Sequence, residues 1–530
     1  MITPYTLDDR LLTVNTKTVM SSSAGPVPPT EKDIFRYRYQ HGTNLGAIFV
    51  LEKWLKGSMY EKGAEGSSEL AAIKSSLKAS GLEATRAKWE KHWRTALTDE
   101  DFQWLKNVAH CNCIRLPIGY FTLGPAFCKG TAFDGEPAKV YVNAWSIAKE
   151  LIERCHHEGI GILVDMHCLP GGANGDAHSG TDNGKAELWK SSKNLSRAKD
   201  CISFLLQDIA RHGMPGVIGL QVCNEAQWNA SGMYQWYDDV LAIASSVDPS
   251  LPIYISDAWN LTACLDYAAK KNRVDTRTPV NPVIIDTHKY YTFTESDRSK
   301  SPQEIISRIP KELEELRNRQ GSISDHKTAV AVYVGEYSCV LDGRTWNRVD
   351  PSQRPELTKT FGNAQTKVWT SKASGSAFWT FKMDWMDGGD WGFKEQVKKG
   401  AIPPPRWTTI PQAEVLAKVK EAEAQRSYFR NHSLAEHTRF WDSSAPGVHF
   451  EHWRYAYGWD LGFSDAMNFF CARAHGVIPG EGDGGDMIGA RELWLKKRML
   501  ETNQFGLNFG WIWEVGFRRG ARDFYRFMGV

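Results

Sequence analysis

Apolar residues recur along this chain in two periods, and the two periods take turns. Short apolar runs rich in β-branched residues, the signal of buried strands, lie at 114–117, 160–167, 217–224, 252–256, 283–288, 329–335 and 377–381. Between most of them, apolar residues fall three or four apart, which predicts helices over 139–158, 195–212, 232–247, 302–319 and 355–373. A further run at 42–52 supplies a first strand and its exit. That makes eight strands joined by crossovers long enough to hold helices. The pattern predicts an α/β fold, a (β/α)8 TIM barrel closing near Pro403-Pro404-Pro405.

Three segments stand outside the alternation. Residues 1–33 end in Ser21-Ser22-Ser23-Ala24-Gly25-Pro26-Val27-Pro28-Pro29, which cannot form regular structure and reads as a disordered or extended tail before a barrel spanning 34–405. The polar stretch 64–96, rich in Ala, Lys and Glu, predicts a helical insertion. Thr98-Asp99-Glu100-Asp101 after it has the form of a capping box, opening a helix through Phe102, Leu105 and Val108. From 406 to 530 the strands cease and the chain turns helical and aromatic, with seven tryptophans. No flexible linker follows Pro405, and so many aromatics cannot stay in water. This region is therefore expected to dock on the barrel, where it could help to wall a cleft. Within it, the string Gly480-Glu481-Gly482-Asp483-Gly484-Gly485 reads as a surface loop, because no strand precedes it. Trp459-Asp460-Leu461-Gly462-Phe463 is echoed by Trp513-Glu514-Val515-Gly516-Phe517, which predicts two helices packed closely through their glycines.

Composition narrows the functional classes. A formal net charge of +2 over 530 residues gives no case for nucleic acid or an anionic membrane as the main partner. No apolar run approaches the roughly 20 residues of a membrane span. The first residues show neither a basic nor an apolar leader segment, and the ten scattered cysteines read as buried free thiols. Both point to the cytosol.

The candidate chemistry lies where two of the strands end. Gly219-Leu220-Gln221-Val222-Cys223-Asn224-Glu225 and Ala329-Val330-Ala331-Val332-Tyr333-Val334-Gly335-Glu336 each close on a glutamate, a poor strand residue that is costly to bury. In a parallel barrel the carboxyl ends of the strands form one face, and active sites sit there. Two carboxylates on that face supply the acid and the nucleophile of a glycosidase. Other strand ends gather groups an apolar core has no use for. Arg115 needs a carboxylate partner, while His167, His288 and Tyr290 offer hydrogen bonds. Trp379 offers a face on which a pyranose can stack. No cluster has the spacing of metal ligands, so neither a metal nor another cofactor is expected.

Taken in order, these pieces resemble glycoside hydrolase family 5 of the cellulase clan, and most of all its fungal exo-β-1,3-glucanase branch. The match runs from about residue 40 to 405. Its pieces are Gly42-Thr43-Asn44-Leu45-Gly46 with Glu52, Arg115-Leu116-Pro117-Ile118-Gly119-Tyr120, and His167 with Pro170-Gly171 and Asn174-Gly175. They continue through Asn224-Glu225, His288-Lys289-Tyr290, Gly335-Glu336-Tyr337-Ser338, Phe378-Trp379-Thr380-Phe381-Lys382 and Trp391-Gly392-Phe393. The resemblance implies Glu225 as acid/base and Glu336 as nucleophile of a retaining β-glycosidase acting on β-glucosidic bonds, exo in mode. It implies that Asn224 binds the sugar 2-OH, that Arg115 and Tyr290 hold Glu336, and that His288 tunes Glu225. Glu52, His167 and Trp379 would line the site of the non-reducing-end sugar.

Two departures leave the sugar open. The chain has Asn224-Glu225-Ala226 where the branch reads Asn-Glu-Pro, and Ala177-His178-Ser179-Gly180 where it reads Asp-Asn-Ser-Gly. The missing Asp belongs to the branch's grip on the sugar hydroxyls, and Asp176 lies one residue earlier. Two alternatives stand beside the leading expectation of a carbohydrate substrate. One is a β-glycosidase for lipid or phenolic glycosides; the other is a silent carbohydrate-binding barrel, against which the full set of supporting polar residues argues. The sequence does not give the oligomeric state.

Overall fold

In the computed structural model, which describes residues 26–274 and 280–530, eight parallel strands close a barrel in sequence order. They are β1 (Gln40–Asn44), β2 (Cys113–Gly119), β3 (Gly161–Cys168), β4 (Val217–Gln221), β5 (Ile253–Ser256), β6 (Val283–Lys289), β7 (Val332–Tyr337) and β8 (Gly375–Phe378). β8 pairs back onto β1 through Gln40–Thr43 and Gly375–Phe378. Nearly every strand residue is buried, because one face meets the barrel interior and the other meets helices. The (β/α)8 architecture expected from the alternation is the one present.

The local differences have physical causes. A helix, α1 (Glu31–Tyr37), precedes the first strand, started by a reciprocal capping box between Thr30 and Asp33. A helix thus forms inside the segment assigned to the tail; residues 1–25 lie outside those described. β1 ends at Asn44, so most of 42–52 is exit loop rather than strand. The polar insertion forms α2 (Glu69–Arg94), interrupted at Gly81, whose φ is +76°. α3 (Asp99–Asn107) starts at the Thr98 capping box, with Asp101 N–H donating to Thr98 Oγ1 at 3.2 Å. Four crossover helices follow: α4 (Ala144–His157), α5 (Ser192–His212), α6 (Met233–Val247) and α7 (Leu261–Lys271). The sequence reading missed α7. It expected one helix over 302–319, but α8 (Pro302–Arg308) stops short of Pro310, which has no N–H to give. α9 (Arg354–Lys372) completes the ring. β7 runs through Glu336, which therefore sits within the strand, whereas β4 stops four residues before Glu225.

Beyond the barrel stand α10 (Gln412–Ser444), α11 (His452–Cys471), α12 (Arg491–Glu501) and α13 (Gly510–Met528). The echoed motifs fall on α11 and α13, which meet backbone to backbone. A Cβ on Gly462 would lie 2.1 Å from the Phe517 carbonyl oxygen, and one on Gly520 would lie 2.0 Å from that of Trp459. Gly458 and Gly516 make the same approach one turn away, so two glycines at four-residue spacing on each helix form the seam.

These helices cover the amino end of the barrel. Tyr39 N–H donates to the Met487 carbonyl at 2.7 Å, and Gly489 N–H to that of Tyr37 at 2.8 Å. Arg38 and Asp486 form a buried ion pair at 3.2 Å, and Asn112 donates to the same carboxylate. The glycine-rich string is therefore a surface loop only as far as Asp483. Gly484, Gly485 and Asp486 are buried in the seam with the barrel. All ten cysteines are buried free thiols, and no helix among the described residues is long and apolar enough to cross a membrane.

Two predictions test this seam. Gly462→Ala forces a methyl into a backbone carbonyl and should cost about 1–3 kcal/mol or more. Gly343→Ala, where an added Cβ meets nothing within 4 Å, should be neutral. Equal melting temperatures for the two variants would refute the packing argument. A chain cut after Pro405 uncovers Arg38 without its carboxylate and an apolar barrel base, so it should be insoluble or molten. A soluble barrel with the parent's melting transition would contradict that.

Candidate active site

Alternation along the strands aims charge into the barrel. Residues two apart share a face, so Asp165 with His167 on β3, and Asp286 with His288 on β6, converge on Arg115 of β2. Arg115 is fully buried, and five side chains hold it within hydrogen-bond range. Its Nε donates to Gln221 Oε1 at 2.9 Å, its Nη1 to Asn44 Oδ1 at 3.0 Å and Glu336 Oε1 at 2.9 Å, and its Nη2 to Asn224 Oδ1 at 2.7 Å, while Asp165 Oδ2 forms an ion pair with Nη2 at 3.0 Å.

Glu336 is gripped from both sides, since Tyr290 Oη donates to its Oε2 at 2.8 Å. Gly335, just before it, has no Cβ to strike Asp286 Oδ1, which would be 1.9 Å away. Burial raises the Glu336 carboxyl above its ordinary value, against the pull of His288 and Arg115.

Glu225 is held differently. It lies past the end of β4 with φ at +41°, a left-handed conformation that a glutamate adopts at a cost of about 1–3 kcal/mol. Asn174 stabilises the turn by donating to the Glu225 carbonyl at 2.9 Å. His288 Nδ1–H donates to Glu225 Oε1 at 2.7 Å, while its Nε2–H donates to Asp286 Oδ2 at 3.0 Å. Burial opposes the charge on Glu225, but His288, His178 and His167 outweigh it and hold the carboxyl down at about 2. His288 is raised well above its usual value, because Glu336, Asp286 and Glu225 overcome its burial. The Glu225 and Glu336 carboxylates approach within 4.8 Å, with His288 between them.

These groups floor a cavity of about 970 Å³ at the carboxyl ends of the strands. Of the predicted residues, Glu52, His167, Glu225, His288, Tyr290, Glu336 and Trp379 line it. Arg115 and Asn224 do not; both lie fully buried beneath it, and the Asn224 oxygen is taken by Arg115. Glu52 accepts from Trp54 Nε1 at 2.8 Å, and burial pushes its carboxyl up to about 7. His167 rests on Asp165 at 2.8 Å and stacks beside Trp379 at 6.0 Å between ring centroids. None of the lining residues comes from 406–530, so the C-terminal helices do not wall this cleft.

Sequence reasoning missed several members. Asp165 and Asp286 were legible as charges two residues before histidines on inward faces. His178 was noticed only as a departure, yet its Nε2 lies 3.3 Å from Glu225 Oε2 and 3.7 Å from Asp176 Oδ2. Of the aromatic rim, Trp391 fell within the matched Trp391-Gly392-Phe393, whereas Trp54, Trp259 and Phe293 gave no signal, because they stand on exit loops. Two groups, Asp176–His178–Glu225 and Glu225–His288–Glu336, are compact enough to share an ion. In both groups the neighbouring carboxylates raise the imidazole above its ordinary value.

Burial lowers His178, but Asp176, Glu225, Glu52 and Glu336 together raise it to about 9. A raised folded pKa adds stability below the unfolded value of about 6.5, and that stability fades as pH climbs through about 9. The melting temperature of the parent relative to His178→Asn should therefore fall between those pH values. A difference that stays flat would contradict the ion cluster.

Comparison with known proteins gives the family. The family described as cellulase (glycosyl hydrolase family 5) matches residues 74–374, and the glucan 1,3-beta-glucosidase 3 C-terminal domain matches residues 422–528. The chain is 32% identical to glucan 1,3-beta-glucosidase 3 of Schizosaccharomyces pombe, over 91% of this chain and 96% of that one. It is 30% identical to an uncharacterized glycosyl hydrolase of Saccharomyces cerevisiae, over 96% of each. Among solved structures, the rutinosidase from Aspergillus niger superposes with a TM-score of 0.53 at 19% identity, covering 69% of this chain and 98% of that one, a likeness of fold.

Proposed function

The chain belongs to glycosyl hydrolase family 5 and is a β-glycosidase, and from that premise we propose that it removes β-linked glucose from the non-reducing end of its substrate with retention of configuration. The observation that carries this is the spacing of Glu225 and Glu336, whose oxygens come within 4.8 Å. A retaining pair stands about 5–5.5 Å apart, whereas an inverting pair needs about 6.5–9.5 Å to admit a water.

The two glutamates take different roles because their partners differ. Glu336 accepts from Arg115 and Tyr290, two donors that fix its oxygens for attack on the anomeric carbon. Glu225 has a proton one hydrogen bond away on His288. Transfer along that 2.7 Å bond leaves a neutral imidazole and a protonated Glu225. Glu225 gives this proton to the leaving oxygen as the bond to the anomeric carbon breaks and the ester to Glu336 forms. Water, deprotonated by Glu225, then attacks the same carbon and releases Glu336. Glu52, His167 and Trp379 take the sugar, with the indole face under its C–H groups.

The name of the fission-yeast relative supports a 1,3-glucan as substrate. A specific observation also favours an apolar aglycone. Trp259, 51% exposed, and Phe293, 58% exposed, line the cavity with Glu225 and Glu336 and offer apolar faces to a leaving group. The ten free thiols support residence in a reducing compartment, the cytosol.

Glu336→Ala should lose hydrolysis by on the order of 10⁴-fold or more and yield the inverted glycosyl azide when azide is added. Glu225→Ala should still act on aryl glucosides with good leaving groups and give the retained azide. The same product stereochemistry from both variants would sink the assignment. Parent rates on β-1,3-oligoglucosides and on lipid or phenolic glucosides then decide between the two leaving-group classes.

A further inference from the structure

A second cavity, of about 470 Å³, lies at the other end of the molecule. Tyr39 and Ala373, which precede β1 and β8, form its barrel side, and α12 and α13 close it from outside. Its volume falls within the range of about 300–1,000 Å³ typical of small-molecule sites. Trp407, Trp494, Phe517 and Tyr525 make its walls apolar and aromatic. Trp407 is buried, and its indole N–H has no hydrogen-bond partner. A buried unpaired donor is costly, and a bound acceptor would remove that cost.

The charged side chains at this cavity have one sign. Arg491, Arg518, Arg522 and Arg526 line it, and no Asp or Glu side chain does. Three of the four fall at four-residue spacing on α13 and so share one face of that helix. Arg518 is neutralised by Glu492 and Glu514. Among the described residues, Arg491, Arg522 and Arg526 have no carboxylate within ion-pair distance. All three are solvent-exposed at the edge of the aromatic cleft, open to an incoming anion. Guanidinium groups recognise carboxylate and phosphate with paired donors, while the aromatic walls favour an apolar body.

We propose that this cavity is a binding site for an anionic amphiphile, a single hydrocarbon chain or ring system bearing a carboxylate or a phosphate, held between the C-terminal helices and the base of the barrel. The anionic head lies among Arg491, Arg522 and Arg526, and the apolar part fills the space against Trp407, Trp494 and Phe517. Because the ligand touches both the barrel and α13, its binding stabilises the joint between them.

The test is calorimetric titration of the full-length protein with dodecanoate, dodecyl phosphate and dodecyltrimethylammonium, each below its micelle-forming concentration. Saturable binding of at least one anion, with the cation not bound, is the expected result. Which anion binds identifies the head group. The bound anion should also raise the melting temperature. The double variant Arg522→Glu/Arg526→Glu should bind about tenfold more weakly or worse, with glycosidase activity and the unliganded melting transition unchanged. Should charge reversal disturb folding, Arg522→Gln/Arg526→Gln gives the same comparison more gently. Glu336→Gln should bind the anion as the parent does, which separates this cavity from the sugar site. No binding of either anion, equal binding of the cation, or undiminished affinity in both double variants would overturn the proposal.

Discussion

A single buried cation organises the upper half of the barrel. Arg115 lies at the axis, wholly out of water, and an isolated charge there would cost several kcal/mol or more. The cost is met only because β1, β3, β4, β6 and β7, or the loops leaving them, each turn an acceptor inward. Asn44, Asp165, Gln221, Asn224, Asp286 and Glu336 surround one guanidinium, with Asp286 the most distant at 3.7 Å. The planar fork of arginine suits this task and the ammonium of lysine does not, since the donors must reach acceptors in several directions at fixed angles. Removing the cation would leave three carboxylates facing one another in a low-dielectric core. The barrel closure and the pose of Glu336 therefore rest on the same group.

The surplus of acid around Arg115 sets the electrostatics of everything above it. Burial pushes Asp165 up to about 7, whereas His288 and Arg115 hold Asp286 below its usual value. His288 carries the second positive charge, placed between Asp286 below and Glu225 above. Its Nδ1 is also 3.5 Å from Glu336 Oε2, within ion-pair range of the second glutamate. Glu225 then has a histidine on each oxygen, His288 at 2.7 Å and His178 at 3.3 Å. His288 thus stands one hydrogen bond from Glu225 and one from Asp286.

The parts of this arrangement that follow a period could be read from the sequence. Strand runs and their terminal glutamates announced the barrel and the pair, because burial on both faces makes a parallel strand conspicuous and a carboxylate at its end anomalous. Arg115 and His288 were visible for the same reason. What the sequence hid depends on loops. His178 reaches Glu225 from a turn anchored by Asn174, whose Oδ1 accepts from Asp176 N–H at 2.9 Å and Ser179 Oγ at 2.7 Å while its Nδ2 holds the Glu225 carbonyl. No periodicity encodes such a contact between positions fifty residues apart. The break at Pro310 was legible as a proline, but the expected helix was drawn through it. The glycines of α11 and α13 were seen as an echo; that they touch backbone to backbone required the partner helix.

The two ends of the barrel divide the work. The carboxyl end accepts the energetic penalties: a left-handed glutamate, buried like charges and aromatic side chains in water. The amino end compensates through area. Leu163, Ile218, Tyr254 and Tyr333 from the barrel share one apolar cluster with Phe469, Trp494, Trp513 and Phe517 from the C-terminal helices. That cap adds no residue to the sugar cavity, yet it covers strand starts that would otherwise meet solvent. A barrel whose site stores strain and uncompensated burial needs stability from elsewhere, and here a helical region outside the alternation supplies it. Cavities remain along this joint among the described residues, and one of them, of about 470 Å³, is edged by arginines as well as aromatic side chains. A ligand seated in that gap would touch both the cap and the barrel, and so act on the joint that covers the strand starts.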